Sequence, residues 1–183
     1  MVAAGQACAL LAGCGPAAPE PSAPGPLELS AQEVNTVGMD LPRDGRFPSL
    51  GTIVLTNRDN SSPVVLRTVR LLGAKHVSVR AAYVLSMDPD DGTFGGGFLV
   101  PPGKDGFPYR QQARQWESRK DLAGFELPAS ARANLLVAVD TDDVCGGSST
   151  GLEVDYDASD VTHEATSPTG IDMSDDAAPG CAH

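Results

Sequence analysis

The chain is poor in aromatic and basic residues. Aromatics make up 5% of its 183 residues, with one Trp, and 13 Lys and Arg stand against 24 Asp and Glu. The net charge of -11 excludes nucleic acid as a partner, because a phosphate backbone repels it. The same charge disfavours spreading on anionic lipid. With few aromatics, a core has to come from Val, Leu, Ala and Ile. Helical periodicity is also missing, whereas several stretches alternate with period two. The first basic residue is Arg43, and there are only three histidines.

What is present begins at the N-terminus. Met1 to Gly13 is uncharged and mostly small or apolar. That is the length of a signal-peptide apolar region and too short to cross a bilayer, which takes roughly 20 residues. The next residues complete Leu11-Ala12-Gly13-Cys14, which resembles the lipobox of bacterial lipoproteins. The resemblance implies that the Cys14 thiol receives a diacylglyceryl group and that a peptidase cuts just before it. Cys14 then becomes the mature N-terminus and a membrane anchor at the extracytoplasmic face. A signal peptide normally opens with Lys or Arg, so a start upstream of Met1 is expected.

Gly15 to Pro26 contains five prolines and cannot form helix or sheet, since proline lacks the donor and fixes its own backbone angle. It reads as an extended spacer of roughly 3 Å per residue that lifts a domain clear of the headgroups. Leu27 to His183 then makes one domain of 157 residues, large enough to bury a core. With Cys8 in the leader and Cys14 the lipid acceptor, Cys145 and Cys181 are expected to pair, as cysteines of exported domains do. That bond closes 37 residues and contributes roughly 3–4 kcal/mol in the chain-entropy model.

Strands are expected at Leu50–Asn57, Val64–Leu72, His76–Met87, Leu122–Leu127, Ala133–Asp140, Gly151–Asp157 and Asp160–Thr166, with a short one at Phe98–Val100. In the third, Val77, Val79, Ala81, Tyr83, Leu85 and Met87 alternate onto one face, as in a half-buried antiparallel strand. Arg110 to Lys120 is the one plausible helix. Leu135-Leu136-Val137-Ala138-Val139 is apolar enough to be central. After Ser167 the chain is small and acidic, an ordered tail only if the disulfide forms. Seven to eight short strands at regular turn spacing predict an all-β fold, an immunoglobulin-like antiparallel β-sandwich with one long irregular excursion over Gly92 to Lys120.

Three kinds of chemistry have candidate residues in the chain. Gly147-Ser148-Ser149-Thr150-Gly151 has the letters of a nucleophile elbow and makes Ser149 a hydrolase candidate, with His163 or His76 as its base. The elbow needs a helix after the serine, and Leu152 to Tyr156 alternates like a strand, so a hairpin loop fits better. His76 and Met87 have the spacing that opens the His/Met copper motif of periplasmic copper chaperones. Tyr109 and Gln111 stand where its later ligands would fall. The acidic runs Asp88-Pro89-Asp90-Asp91-Gly92 and Asp140-Thr141-Asp142-Asp143 offer oxygen ligands for Ca²⁺, and a site becomes reasonable if the fold brings them to one end. No cofactor is expected.

The excursion holds five of nine aromatics, Phe94, Phe98, Phe107, Tyr109 and Trp116. Aromatics in loops either cap a core or form a contact patch. Taken together, the sequence reads as an exported, lipid-anchored binding or interaction module of the cell envelope. It is read as a non-enzyme whose partner is the membrane through its anchor and another envelope protein. A metal-handling protein (copper or calcium) and a Ser149 hydrolase are the other readings.

Overall fold

A computed structural model describes residues 24–30, 34–87, 92–174 and 181. The lipobox with Cys14, most of the proline spacer, the acidic turn 88–91, and His183 lie outside the described residues. Among the described residues are thirteen strands and one helix. In chain order they are β1 (Leu27–Leu29), β2 (Asn35–Gly38), β3 (Phe47–Asn57), β4 (Val64–Leu72), β5 (Val77–Ser86), β6 (Gly95–Val100) and α1 (Arg110–Glu117). There follow β7 (Lys120–Asp121), β8 (Glu126–Leu127), β9 (Arg132–Thr141), β10 (Gly146–Ser149), β11 (Gly151–Ala158), β12 (Val161–Ser167) and β13 (Thr169–Ser174). The expected all-β, antiparallel sandwich is what forms.

The larger sheet has the order β1-β3-β9-β5-β7, with β6 also paired to β3. The sheet facing it has the order β12-β11-β4-β8. Between them lies the main core, with Leu50, Ile53, Leu55, Val84, Leu135, Val137 and Val139 from one side and Val64, Leu66, Leu152, Val154 and Tyr156 from the other. β9 is central, as its apolar run requires, and is buried on both faces. Its odd-numbered side chains enter the main core, and Leu136 and Ala138 enter a second core on the outer face of the large sheet.

β5 departs from the expected one-sided pattern. Val79 pairs with Val139 and Ala81 with Ala138, so Arg80 is an extra residue, a β-bulge. A bulge shifts the side-chain phase by one. Val77, Val79, Ala82 and Val84 therefore face the main core, whereas Ala81, Tyr83 and Leu85 face the second. The strand is covered on both sides. Arg67 is a similar extra residue in β4, between the inward pair Val64 and Leu66 and the inward pair Val69 and Leu71.

Two other expectations change. Leu122–Leu127 is not one strand. β7 pairs with β5 and β8 with β4, so this segment crosses from one sheet to the other. Gly147–Gly151 is not a hairpin loop, since β10 and β11 form one arm of a long bent hairpin and β12 and β13 form the other. The stretch after Ser167, expected to be ordered only with the disulfide, is ordered over Thr169–Ser174, and the disulfide is formed. This stretch forms β13, the middle of a third sheet ordered β10-β13-β2, in which the β13–β2 pair is parallel. Met39, Ile171 and Met173 point from this sheet into the main core, so it roofs one end of the sandwich.

The chain enters at the other end. Leu27 pairs with Asn57 and its N–H donates to the Tyr156 hydroxyl at 3.2 Å. Arg58 N–H donates to the Pro26 carbonyl at 2.8 Å. Gly25 lies so close to Tyr156 and His163 that a Cβ there would overlap the Tyr156 hydroxyl and the His163 ring. The disulfide is formed: Cys145 and Cys181 have Cα atoms 5.2 Å apart and tie the segment after β13 to the start of β10.

Candidate functional site

The Gly92–Lys120 excursion forms a layer on the outer face of the large sheet. Phe94 is 1% exposed and packs edge-on against Phe98 at 5.9 Å and Phe107 at 5.1 Å between ring centroids. Trp116 meets Phe107 at 5.9 Å and Tyr83 at 5.6 Å. The Arg119 guanidinium covers the Trp116 ring at 3.9 Å. These rings close over Leu85, Val100, Leu136 and Ala138. Phe94 is thus a core residue and is removed from the contact patch. Phe98, Phe107 and Trp116 are part-buried, while Tyr109 is 64% exposed.

Three polar anchors that sequence patterning missed hold this layer. Asn134, fully buried in β9, accepts from Phe94 N–H at 2.7 Å and donates to the Ile53 carbonyl at 2.7 Å. From α1, Gln112 donates to the Phe94 carbonyl at 2.9 Å and Gln115 to the Gly92 carbonyl at 3.1 Å. The only sequence signal for any of them was a polar residue inside the apolar run of β9. Three glycines let the strand begin: Gly95 and Gly97 have positive φ, and a Cβ on Gly96 would press on Val37.

The outer face of the second sheet is ionic. Arg70 lies among Glu153, Asp155 and Glu164, bonding Asp155 at 2.8 Å and Glu164 at 3.1 Å and pairing with Glu153. Glu153 is 8% exposed, and burial raises its pKa against the pull of Arg70. The three carboxylates stand close enough together to hold an ion, yet the Arg70 guanidinium already occupies the space between them. Arg67 donates to Asp157 through Nε at 2.7 Å, and Thr162 donates to the same carboxylate at 2.8 Å. These bonds hold the Asp157 pKa below the usual carboxylate range.

Two clefts flank the roof sheet, and Asp172 lines both. One, of about 400 Å³, is lined by Asp40, Gly96, Gly97, Phe98 and Asp172 among others. The other, of about 270 Å³, is lined by Lys75, His76, Asp143, Cys145 and Met173 among others. At its mouth His76 Nδ1 stands 3.3 Å from Asp142 Oδ1 and 3.9 Å from Asp143 Oδ2. His76 and Asp142 are 66 positions apart in sequence, and the pairing of β5 with β9 joins them.

The sequence-derived sites fare differently. Ser149 lies in β10 opposite Ile171, its Oγ buried and without a hydrogen-bond partner. No helix follows it. His163 is eight residues of extended chain from Ile171, roughly 25 Å along the strand, and stacks on Tyr156 at 5.5 Å. A Ser149–His163 pair does not form. His76 and Met87 lie beyond opposite ends of β5, roughly 35 Å apart along the strand, so they share no ion. Asp140–Asp143 lies at the roof end of β9, and residues 88–91 of the other acidic run lie outside the described residues.

No family profile matches the chain, and no curated protein matches it. Among solved structures it is similar to the CooA pilin subunit from enterotoxigenic Escherichia coli. The identity is 10% and the TM-score 0.34, over 81% of this chain and 99% of that one.

Proposed function

We propose that this chain is an exported lipoprotein, held at the extracytoplasmic face of the cell membrane by a lipid on Cys14, that serves as a binding module for another envelope protein. The observation that carries this reading is the Cys145–Cys181 bond, because a structural disulfide persists in an oxidising compartment. The lipobox and proline spacer name the anchor. The entry of the chain at Gly25–Leu27 supports a domain tethered by one end, with the roof sheet and its clefts turned away from the membrane.

The contact surface is the accessible side of the excursion, led by Tyr109 with Phe98, Phe107 and Trp116. A binding role fits better than catalysis, because the Ser149 Oγ is buried without a hydrogen-bond partner, His163 stacks on Tyr156 and His76 faces Asp142. The test is the intact mass of protein extracted from native membranes, before and after reduction. A diacylated Cys14 and a gain of two hydrogens on reduction are the expected result. A chain that retains Met1 with both thiols free overturns the anchor and the compartment together.

A further inference from the structure

The two broad faces of the sandwich carry their arginines differently. On the outer face of the second sheet the chain's own carboxylates engage them: Asp157 holds Arg67, and Glu153, Asp155 and Glu164 hold Arg70. On the outer face of the large sheet they lie on aromatic rings instead. The Arg80 guanidinium stands 5.0 Å from the centre of the Phe47 ring, and Arg119 stands 3.9 Å from that of Trp116 and 5.6 Å from that of Tyr83. Arg110 is exposed on α1, on the side away from the buried Gln112 and Gln115, directly after the exposed Tyr109. Among the described residues Arg80, Arg110 and Arg119 make no ion pair, and Arg119 uses one N–H on the Trp116 carbonyl at 2.8 Å. In a chain of net charge -11, Arg110 to Lys120 holds four cations and one carboxylate.

A guanidinium stacked on a ring keeps its N–H edge open, and that edge fits a carboxylate in two parallel bonds. The stack also holds the side chain in place, which lowers the entropy lost on binding. We propose that this face docks an acidic, extended segment of the partner protein, whose carboxylates bond Arg80, Arg110 and Arg119 around Tyr109. The proposal rests on the reading of the excursion as the contact surface and names the chemistry of what it contacts. Arg80 and Tyr83, the ring under Arg119, are three residues apart on β5, roughly 10 Å, a span that carboxylates two to four residues apart on an extended chain match. An anionic bilayer fits less well. It is broad enough to face the acidic remainder of the chain, whereas a narrow segment meets the arginines within a screening length of about 10 Å. Arginine beside aromatic rings is also the composition of protein-binding surfaces.

The test titrates the purified, disulfide-intact full chain with poly-L-glutamate of about 10 residues, roughly 33 Å when extended. Binding is read by the anisotropy of labelled peptide and by the emission of Trp116, the one Trp of the chain. Saturable binding is expected, and it should weaken as NaCl rises from about 50 to 200 mM. It should change Trp116 emission in the parent chain, a readout that needs no variant to fold, because Arg119 lies on that ring. Arg80→Gln and Arg119→Gln should each weaken binding roughly fivefold, and Arg67→Gln on the opposite face should leave it within about twofold. Absence of binding, binding without a change at Trp116, or equal loss in Arg67→Gln overturns the proposal. So does tighter binding to vesicles of phosphatidylglycerol and phosphatidylcholine in equal parts, which assigns the face to a bilayer. In intact envelopes, a photo-cross-linker at position 109 separates this proposal from the reading beneath it. Capture of the same protein by the parent and by the Arg80→Gln, Arg119→Gln double variant overturns the acidic segment and keeps the contact surface. Capture of a second copy of this chain overturns the proposal, and capture of no protein overturns both.

Discussion

Asn134 bridges Phe94 and Ile53 from inside β9, accepting the N–H of one and donating to the carbonyl of the other, both at 2.7 Å. One amide side chain thus bonds the aromatic layer to the large sheet. Each of the two backbone groups has no water to turn to, and losing a partner of a buried group costs about 1–3 kcal/mol. Asn134→Leu is therefore expected to lower unfolding stability by about 2–5 kcal/mol in urea titration, with the Trp116 fluorescence transition moving along with the far-ultraviolet one. Loss of less than about 1 kcal/mol would show that the excursion is held by ring packing alone.

The rings themselves divide into core and surface. Phe94→Ala removes a fully buried side chain and should cost about 3–5 kcal/mol. Tyr109→Ala touches an exposed ring and should stay within about 0.5 kcal/mol of the parent. If Tyr109 leads the contact surface, the same variant should lose cross-linked partners from intact envelopes while keeping its melting temperature. An unchanged cross-linking pattern would move the surface elsewhere.

The disulfide ties the chain beyond β13 to the start of β10, and Cys181 is buried. The double variant Cys145→Ser, Cys181→Ser should lose roughly 3–4 kcal/mol. Because β13 is the middle strand of the roof, hydrogen exchange should accelerate first at Ile171 and Met173, before the amides of β9. Uniform acceleration across the domain would instead place the roof in the same cooperative unit as the sandwich.

Acid should weaken the fold through a small set of carboxylates. Asp157 is held low by hydrogen bonds from Arg67 and Thr162, Asp59 by the hydroxyl and backbone N–H of Ser61, and Glu28 by Arg58. A folded value below the unfolded one means that their stabilisation is full above about pH 4 and fades as pH falls through the folded values. Glu153 has the opposite sign, since burial raises its value and ionising it costs stability as pH rises past about 4.3. Asp157→Asn should therefore lower the melting temperature at pH 7 and flatten its fall between pH 4 and 2. Glu153→Gln should leave stability at pH 7 unchanged or raised. A steeper acid limb in Asp157→Asn would contradict the assignment.

The sequence by itself determined the class of fold, the central place of β9 and the partnership of Cys145 with Cys181. Each rests on a local regularity: period-two alternation, an unbroken apolar run, turn formers between strands, two cysteines left over. Tertiary structure decided the rest. A single extra residue, Arg80, turns half of β5 to a second core, and no alternation pattern carries a bulge whose cause is the partner strand. β13 and β2 are short, polar and parallel, and their order comes from covering the open end of the main core. Phe94 and Tyr109 read alike in a glycine-rich loop, and only the sheet beneath them separates a core ring from an exposed one. His76 meets Asp142 and Asp143 because β5 and β9 run antiparallel, a juxtaposition that arises from strand register.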